Sequence, residues 1–263
     1  MEFFDSHAHL DDTRFNEDRE TLIQEIKKAG ITKFVSAGYS IEGSKKGLEL
    51  SKKYEYIYTT CGISPNDIPQ TEEALWKDID EIRHLVETNL ESKKIVAIGE
   101  IGLDYYWEKD FQRREWQRQA FMKQIEMANS FELPIVIHTR EAVMDTLEIL
   151  KENTVNKKGI FHCCPLNREL VKEALKLGFY ISFAGPVTFK NSKNANEIIQ
   201  MVPNDKMLIE TDSPYLAPEP VRGTRNDPRN VKFVAQKVAD VKDMTLEEVA
   251  KITYENAKKI FDI

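Results

Sequence analysis

The stretch Asp5–Asp12, which reads DSHAHLDD, decides how the rest of this sequence is interpreted. It follows a short and mostly apolar start, MEFF, which is typical of a first buried strand. His7 and His9 are two positions apart, and in extended backbone such side chains point to the same face. Both imidazoles are therefore expected to reach one ion, since neutral imidazole is the commonest ligand for zinc-like metals. A His-x-His pair alone also fits two polar loop residues. The metal-site interpretation therefore depends on where the other histidines lie.

Length and composition indicate a globular chain of one domain. The chain has 263 residues, 41% hydrophobic and 31% charged, and barrels of about 250 residues routinely form one domain. No apolar run approaches the roughly 18 residues that span a bilayer, and the N-terminus shows no signal pattern, so no membrane contact is expected. The cysteines Cys61, Cys163 and Cys164 imply no disulfide framework, which favours a cytoplasmic location. The net charge of −7 argues against nucleic-acid binding by the overall charge of the protein, but it leaves binding by a local basic patch open.

Apolar strand-like runs alternate with longer amphipathic stretches along the whole chain. The predicted strands span residues 2–6, 31–37, 56–63, 95–99, 134–138, 159–162, 179–183 and 207–210. The predicted helices span residues 14–29, 43–54, 72–90, 111–131, 141–152, 167–177, 191–200, 227–240 and 245–260. Continuous apolar runs are typical of strands buried on both faces, as in parallel sheets. Eight strand–helix units predict an α/β fold, a single (β/α)8 TIM barrel over residues 1–263, with a doubly wound open sheet as the alternative.

Metal-competent side chains directly follow several of the predicted strands. Glu100 follows residues 95–99, His138 follows 134–137, His162 follows 159–161, and Glu210-Thr211-Asp212 follows 207–209. In a barrel, the carboxyl ends of the strands form the catalytic face. Four of the five histidines occupy such positions, and only His84 lies in a predicted helix. We favour a metal site at the carboxyl ends over the alternative, histidines that cap strand ends by hydrogen bonds to backbone.

Seven segments together resemble a known family. They span residues 5–11, 99–105, 134–140, 161–163, 181–191, 210–218 and 222–226. The combined motifs resemble the TatD family of metal-dependent deoxyribonucleases, within the amidohydrolase-like metal barrels, over nearly the whole chain. The resemblance implies a TIM barrel with its metal site at the strand C-terminal ends, and a hydrolase that cleaves DNA, expected to act as an exonuclease.

The resemblance also implies six ligands for two divalent metal ions. His7, His9 and Asp212 would hold one ion, His138 and His162 the second, and Glu100 would bridge both. Nitrogen and oxygen ligands without a thiolate suit zinc, manganese or magnesium at an open catalytic site. A bound water loses its proton more easily, and Asp212 can accept that proton. Asp212 and Glu100 are thus the predicted catalytic residues.

Three further residues are expected to support the ligands or the fold. We expect Asp104 to orient a loop or a histidine rather than to bind metal. Glu210 either supports the ligands or forms a strand-end salt bridge. Cys163, next to His162, is predicted to point to the opposite face of a continuing strand and to pack there.

Positive side chains near the predicted strand ends are candidates for holding phosphates. The predicted substrate-binding residues are Arg140, Lys190, Arg222 and Arg225. Arginine suits this task because its planar fork binds phosphate through two N–H groups. Arg229 and Lys232 lie nearby and equally fit a solvated charged segment.

Three aromatic residues lie beside the predicted metal loop. Tyr105, Tyr106 and Trp107 could stack bases of a single strand, although packing at the barrel mouth is the favoured interpretation. No sequence-reading motif is visible. The resemblance implies DNA as the partner, and without such a motif we expect it to be bound without sequence specificity.

Two positions depart from the family's pattern and leave rival functions open. Ser64 stands where the family usually has the histidine of a Gly-x-His-Pro motif, and Cys164-Pro165-Leu166-Asn167 replaces the usual segment after His-Cys. Both changes bear on the substrate and remove no predicted metal ligand. The alternatives are a related hydrolase acting on a small phosphoester, lactone or amide, and a non-catalytic metal-binding protein. Glu100, at a place where many such hydrolases use a carbamylated lysine, favours the nuclease branch.

Overall fold

In the computed structural model, which describes residues 1–263, eight parallel strands form one sheet whose order follows the chain. The strands are β1 (Phe3–Ala8), β2 (Ile31–Ser36), β3 (Ile57–Cys61), β4 (Ile95–Asp104), β5 (Ile135–Arg140), β6 (Gly159–Phe161), β7 (Tyr180–Phe183) and β8 (Met207–Ile209). A doubly wound sheet reverses its strand order partway, and this sheet does not. The predicted TIM barrel is confirmed.

The barrel is nearly closed, and hydrogen bonds join β8 and the segment after it to β1. The Asp212 backbone N–H donates to the His7 carbonyl at 2.9 Å, and the His9 N–H donates to the Ser213 carbonyl at 2.7 Å. The Ser6 hydroxyl donates to the Ile209 carbonyl at 3.1 Å. These bonds hold two of the predicted metal-binding segments side by side.

Nine α-helices follow the strands and surround the sheet. They are α1 (Arg19–Lys28), α2 (Ile41–Lys53), α3 (Glu72–Asn89), α4 (Phe111–Ser130), α5 (Val143–Glu152), α6 (Arg168–Lys176), α7 (Ala195–Met201), α8 (Val231–Lys242) and α9 (Leu246–Phe261). Ser40, Thr71, Asp110 and Asn167 each begin a helix by accepting a hydrogen bond from a backbone N–H of its first turn. None of these helices combines the length and the apolarity that a membrane crossing requires.

The core has two parts because strand side chains alternate between the helices and the barrel interior. The larger part lies between sheet and helices and includes Phe34, Phe121 and Ile135. The smaller part fills the barrel with residues such as Val136 and Ile160. Residues of α9 join this smaller part at the amino end, next to the start of β1.

The predicted elements match the observed ones, with one informative difference in β4. This strand continues to Asp104, so Glu100 lies inside it rather than after it. The cause is an irregular pairing, since Ile98 pairs with Ile135 and Ile101 with Ile137. From Ile98 to Ile101 the chain of β4 advances three residues while β5 advances two. This extra residue is a β-bulge, which lets the strand bend and continue.

Candidate metal centre

Strand alternation directs two of the predicted ligands into the barrel. In β5, Val136 packs in the barrel interior. His138 follows two residues later and therefore points into the same interior, at the carboxyl end. Ile160 and His162 repeat this relation at the end of β6.

Bulges place two more ligands. In β1, Asp5 pairs with Phe34 and Ala8 with Ser36, so an extra residue lies in the segment that contains His7. The β4 bulge contains Glu100. Bulges are common beside active sites because they re-aim a side chain.

Four ligand atoms form a first group, here called site A, made of His7, His9, Asp212 and one oxygen of Glu100. The Nε2 atoms of His7 and His9 are 3.2 Å apart, which confirms the expected shared face. Asp212 Oδ1 lies 3.7 Å from His7 Nε2 and 3.2 Å from His9 Nε2. Glu100 Oε2 lies 3.4 Å and 3.6 Å from the same two nitrogens. A tetrahedral ion with bonds of about 2.0–2.1 Å has ligand–ligand edges of roughly 3.3–3.4 Å, and these five separations of 3.2–3.7 Å lie near that length.

A second group, site B, lies on the other side of the same glutamate. His138 Nδ1 is 3.0 Å from Glu100 Oε1 and 3.3 Å from His162 Nε2. His162 Nε2 is 3.4 Å from the same oxygen. Three converging ligands leave a coordination position open, as catalytic metal sites do. Glu100 thus turns one oxygen to each group, in the geometry of a bridging ligand.

Asp104 connects site B to the loop after β4. Its Oδ2 atom lies 3.0 Å from His138 Nε2, so it can hold the imidazole with Nδ1 turned to the metal position. Its Oδ1 atom accepts the backbone N–H groups of Tyr106 and Trp107 at 2.9 and 3.1 Å. The structure therefore places Asp104 where it contacts both a histidine and a loop.

Two more contacts lie behind His162 and His9, whereas the buried Nδ1 of His7 has no hydrogen-bond partner. The completely buried Glu210 accepts the backbone N–H of Cys163 at 2.6 Å, and its Oε1 lies 3.4 Å from His162 Nδ1. His9 Nδ1 lies 3.1 Å from the Ala37 carbonyl. Each contact restrains the ring at the nitrogen that faces away from the cluster.

The side chains of sites A and B shift one another's pKa values. Burial raises the pKa of Glu100, but His162 and the hydrogen bonds from His138 outweigh it and hold that pKa well below its usual range. Burial lowers the pKa of His9, but Asp212 and Glu100 outweigh it and raise the pKa to about 9. Without metal, the carboxylates are thus ionised and some imidazoles protonated, so a metal ion would displace protons on binding.

A cavity of about 760 Å³ opens over both groups. Its volume lies within the range of about 300–1,000 Å³ that is usual for ligand pockets. Arg140 is the only lysine or arginine among its lining residues. The guanidinium carbon lies 3.8 Å from the centre of the Tyr106 ring, and Trp107 lies beside it at 5.6 Å.

The other predicted phosphate-binding cations do not reach this cavity. Lys190, Arg222 and Arg225 are absent from its lining. Arg225 forms hydrogen bonds to the Asp18 carboxylate at 2.5 and 2.9 Å, so its charge is already balanced. The Arg222 guanidinium stacks on Phe189 at 4.1 Å.

The prediction that Cys163 packs on the opposite strand face is wrong. The strand β6 ends at Phe161, and Cys163 has a φ of +37°, so the chain turns and Cys163 lines the cavity. Tyr39 and Asp67 also line the cavity and were missed by the sequence analysis. Both residues come shortly after predicted strands, and this position could have identified them as residues of the carboxyl-end face.

Ser64 lies in the cavity wall and is almost fully buried. Its hydroxyl donates to Asp67 Oδ2 at 2.9 Å and accepts the Asn66 backbone N–H at 3.2 Å. The residue at this departure from the family pattern therefore lines the cavity over the metal-binding groups.

An eight-stranded barrel with histidine and carboxylate groups converging at its carboxyl end defines the class of metal-dependent hydrolase barrels. A family model described as TatD related DNase matches residues 4–262, and the chain belongs to this family.

Named relatives agree with this class. The chain is 42% identical to "Uncharacterized metal-dependent hydrolase YabD" of Bacillus subtilis (strain 168) over 99% of both proteins. It is 35% identical to "Uncharacterized metal-dependent hydrolase YcfH" of Escherichia coli (strain K12), over 100% of this chain and 97% of that protein.

Solved structures share the fold. YJJV, a TatD homologue from Escherichia coli K12, superimposes with a TM-score of 0.91 at 24% identity, covering 99% of this chain and 98% of that one. A structure from work on organophosphate hydrolysis in a weak promiscuous lactonase template has a TM-score of 0.69 at 14% identity, covering 98% and 95%. At these identities the likeness concerns the fold alone.

Proposed function

We propose that this protein is a phosphodiester hydrolase that uses two divalent metal ions, zinc, manganese or magnesium, and degrades DNA as an exonuclease without sequence specificity. The observation that carries the proposal is Glu100, which turns Oε2 to site A and Oε1 to site B. Paired metal ions about 3.5–4 Å apart are typical of nucleases and phosphatases. Membership of the TatD related DNase family supports the same reaction.

The chemistry divides between the metals and the protein. Bound divalent ions lower the pKa of a coordinated water and offset negative charge on the phosphoryl oxygens. Asp212 lines the cavity and can accept the proton of the attacking water. Burial raises the pKa of Asp212, but the hydrogen bond with His9 outweighs it and keeps the carboxylate ionised and ready for that proton.

Arg140 and two aromatic side chains supply a surface for the substrate. The Arg140 guanidinium on the cavity wall can hold a phosphate through two N–H groups. Tyr106 is 40% exposed and Trp107 is 67% exposed, so both can stack on bases of an unpaired strand end. Tyr105 differs, since its hydroxyl is held by Asp145 at 2.7 Å.

A small phosphoester is the second candidate substrate. Arg140 alone contributes a permanent positive charge to the cavity, whereas a polyanion is normally held by several. Ser64 and Asp67 also place a hydroxyl and a carboxylate where the family pattern has a histidine.

We further propose a cytoplasmic location, which the three free cysteines support.

Digestion of labelled nucleic acids tests the proposal. Single- and double-stranded DNA and RNA, labelled at either end, are incubated with protein stripped by chelation and reloaded with zinc, manganese or magnesium. We expect stepwise shortening of DNA from one end, and no cleavage by a Glu100→Gln variant purified in parallel to exclude contaminating nuclease. Intact DNA together with rapid hydrolysis of a small phosphoester would establish the second candidate instead. Bound metal without any hydrolysis would identify a non-catalytic metal-binding protein.

A further inference from the structure

A second cavity, of about 670 Å³, lies at the amino end of the barrel, opposite the metal centre. It is lined by Ile95 at the start of β4, Tyr180 at the start of β7, Lys206 just before β8 and Phe261 at the end of α9. No metal-centre residue lines it. Its volume falls within the range of about 300–1,000 Å³ that ligand pockets have.

Lysines dominate the charged lining of this amino-end cavity. The basic residues are Lys93, Lys157, Lys158, Lys206 and Lys259, and the acidic ones are Glu132 and Asp262. None of the five lysines forms a salt bridge, whereas the neighbouring Lys258 pairs with Glu255 at 3.4 Å. An excess of unpaired ammonium groups in a concavity concentrates a positive potential there, although the whole chain carries a net charge of −7.

Two of these lysines, Lys158 and Lys206, are half-buried. The Lys206 ammonium donates to the Gly178 carbonyl at 3.0 Å and lies 4.4 Å from the centre of the Tyr180 ring. Burial lowers the pKa of Lys206, and the nearby Lys259 and Lys158 lower it further, against the raising effect of Asp205. Lys206, Lys158 and Lys259 therefore lie near one another, and none of them has a carboxylate within salt-bridge distance, so a bound anion would relieve their repulsion.

The rest of the lining is apolar, including Ile95, Val96 and Phe261. We infer that the amino-end cavity binds a small organic phosphate whose remaining part is apolar or aromatic, such as a nucleoside monophosphate. The lysines contact the phosphate, and the apolar wall contacts the base. A concave site with an apolar wall suits a small molecule better than a polymer, which is usually bound along an extended charged groove.

Calorimetric titration of the metal-loaded protein with AMP tests this inference. Phosphate groups can also bind the metal centre, so variants separate the two locations. In Lys206→Gln we expect AMP affinity at one site to fall at least tenfold, with metal content and hydrolytic rate unchanged. Lys258→Gln removes the same charge from a paired lysine outside the cavity, and its AMP affinity should stay within twofold of the wild type.

Three outcomes would overturn the inference. The first is equal AMP affinity and stoichiometry in the wild type, Lys206→Gln and Lys258→Gln proteins. The second is adenosine binding as tightly as AMP, which would show that the lysines contribute nothing. The third is inorganic phosphate binding as tightly as AMP, which would remove the role of the apolar wall. If Lys206→Gln fails to fold by circular dichroism, Lys259→Gln at the exposed rim gives the same comparison.

Discussion

Replacement of Asp104 by asparagine is expected to weaken metal binding at site B without removing a ligand. Asp104 is completely buried, and its Oδ2 lies 3.0 Å from His138 Nε2. His138 must keep a lone pair on Nδ1 for the metal, so Nε2 carries the proton and donates it to Asp104. In the variant, the amide oxygen can accept either from His138 or from the Tyr106 and Trp107 N–H groups, while the amide N–H₂ faces a donor on the other side.

The size of the effect follows from that lost hydrogen bond. A hydrogen bond to a charged group contributes roughly 1.5–3 kcal/mol. Loss of a carboxylate behind a metal-binding histidine typically reduces metal affinity by about 10–100-fold. At about 1.4 kcal/mol for each tenfold, the two ranges agree. We therefore expect a loss of about 10–100-fold in metal affinity at site B, with site A unaffected.

Competition with a chromophoric chelator measures the two affinities separately. Asp145→Asn is a matched control, because Asp145 accepts the Tyr105 hydroxyl on the same side of the barrel and touches no metal-centre histidine. A second readout excludes simple loss of structure. Burial lowers the pKa of His138, but Asp104 and Glu100 outweigh it and raise the pKa, so in the variant the affinity of site B, although weaker, should begin to fall at a lower pH than in the wild type. Unchanged metal affinity in Asp104→Asn, or an equal loss in Asp145→Asn, would refute the reasoning.

Three further predictions concern turnover, substrate and pH. Asp212→Asn should lower kcat by at least a hundredfold with a small change in KM, because the amide is a poor proton acceptor. A normal kcat with a raised KM would show that Asp212 helps only to bind the substrate. Ser64→His should raise the rate of DNA cleavage about 10–100-fold at constant metal content, since one charge-assisted hydrogen bond to the substrate contributes roughly 1.5–3 kcal/mol. An unchanged rate of DNA cleavage would favour a small phosphoester as the substrate. Metal binding should release protons at pH 7, because the pKa of His9 is raised to about 9 in the metal-free protein, so affinity falls as the pH is lowered. Titration calorimetry in two buffers of different ionisation enthalpy measures this release, and a heat independent of the buffer would contradict it.

The barrel and the polar residues that follow its strands could be predicted from local rules, whereas the choice of six ligands was implied by the resemblance to the TatD family. Buried parallel strands give continuous apolar runs, and the carboxyl ends of such strands meet at one face. His138 and His162 end their runs on the interior face, so their meeting at 3.3 Å needs no knowledge of the loops. The capping box at the start of α9 is local as well, since Thr245 and Glu248 are three positions apart.

Features that depend on distant partners could not be predicted. The bulge that keeps Glu100 inside β4 arises from its pairing with β5. The turn at Cys163 is tied to Glu210, which lies 47 positions later in the chain. Arg225 looked available for phosphate, but Asp18 engages it across 207 positions. Such contacts depend on tertiary geometry, which composition and periodicity do not encode.

Activity measured against the number of bound metal ions tests the two-metal centre most directly. Protein stripped by chelation is titrated with manganese, and bound metal and DNA cleavage are determined in the same samples, with Glu100→Ala in parallel. We predict that cleavage rises to a plateau as two ions bind per chain, and that Glu100→Ala neither holds two ions nor cleaves. Full activity with one ion per chain, or undiminished metal content and activity in Glu100→Ala, would contradict the bridging role of this glutamate.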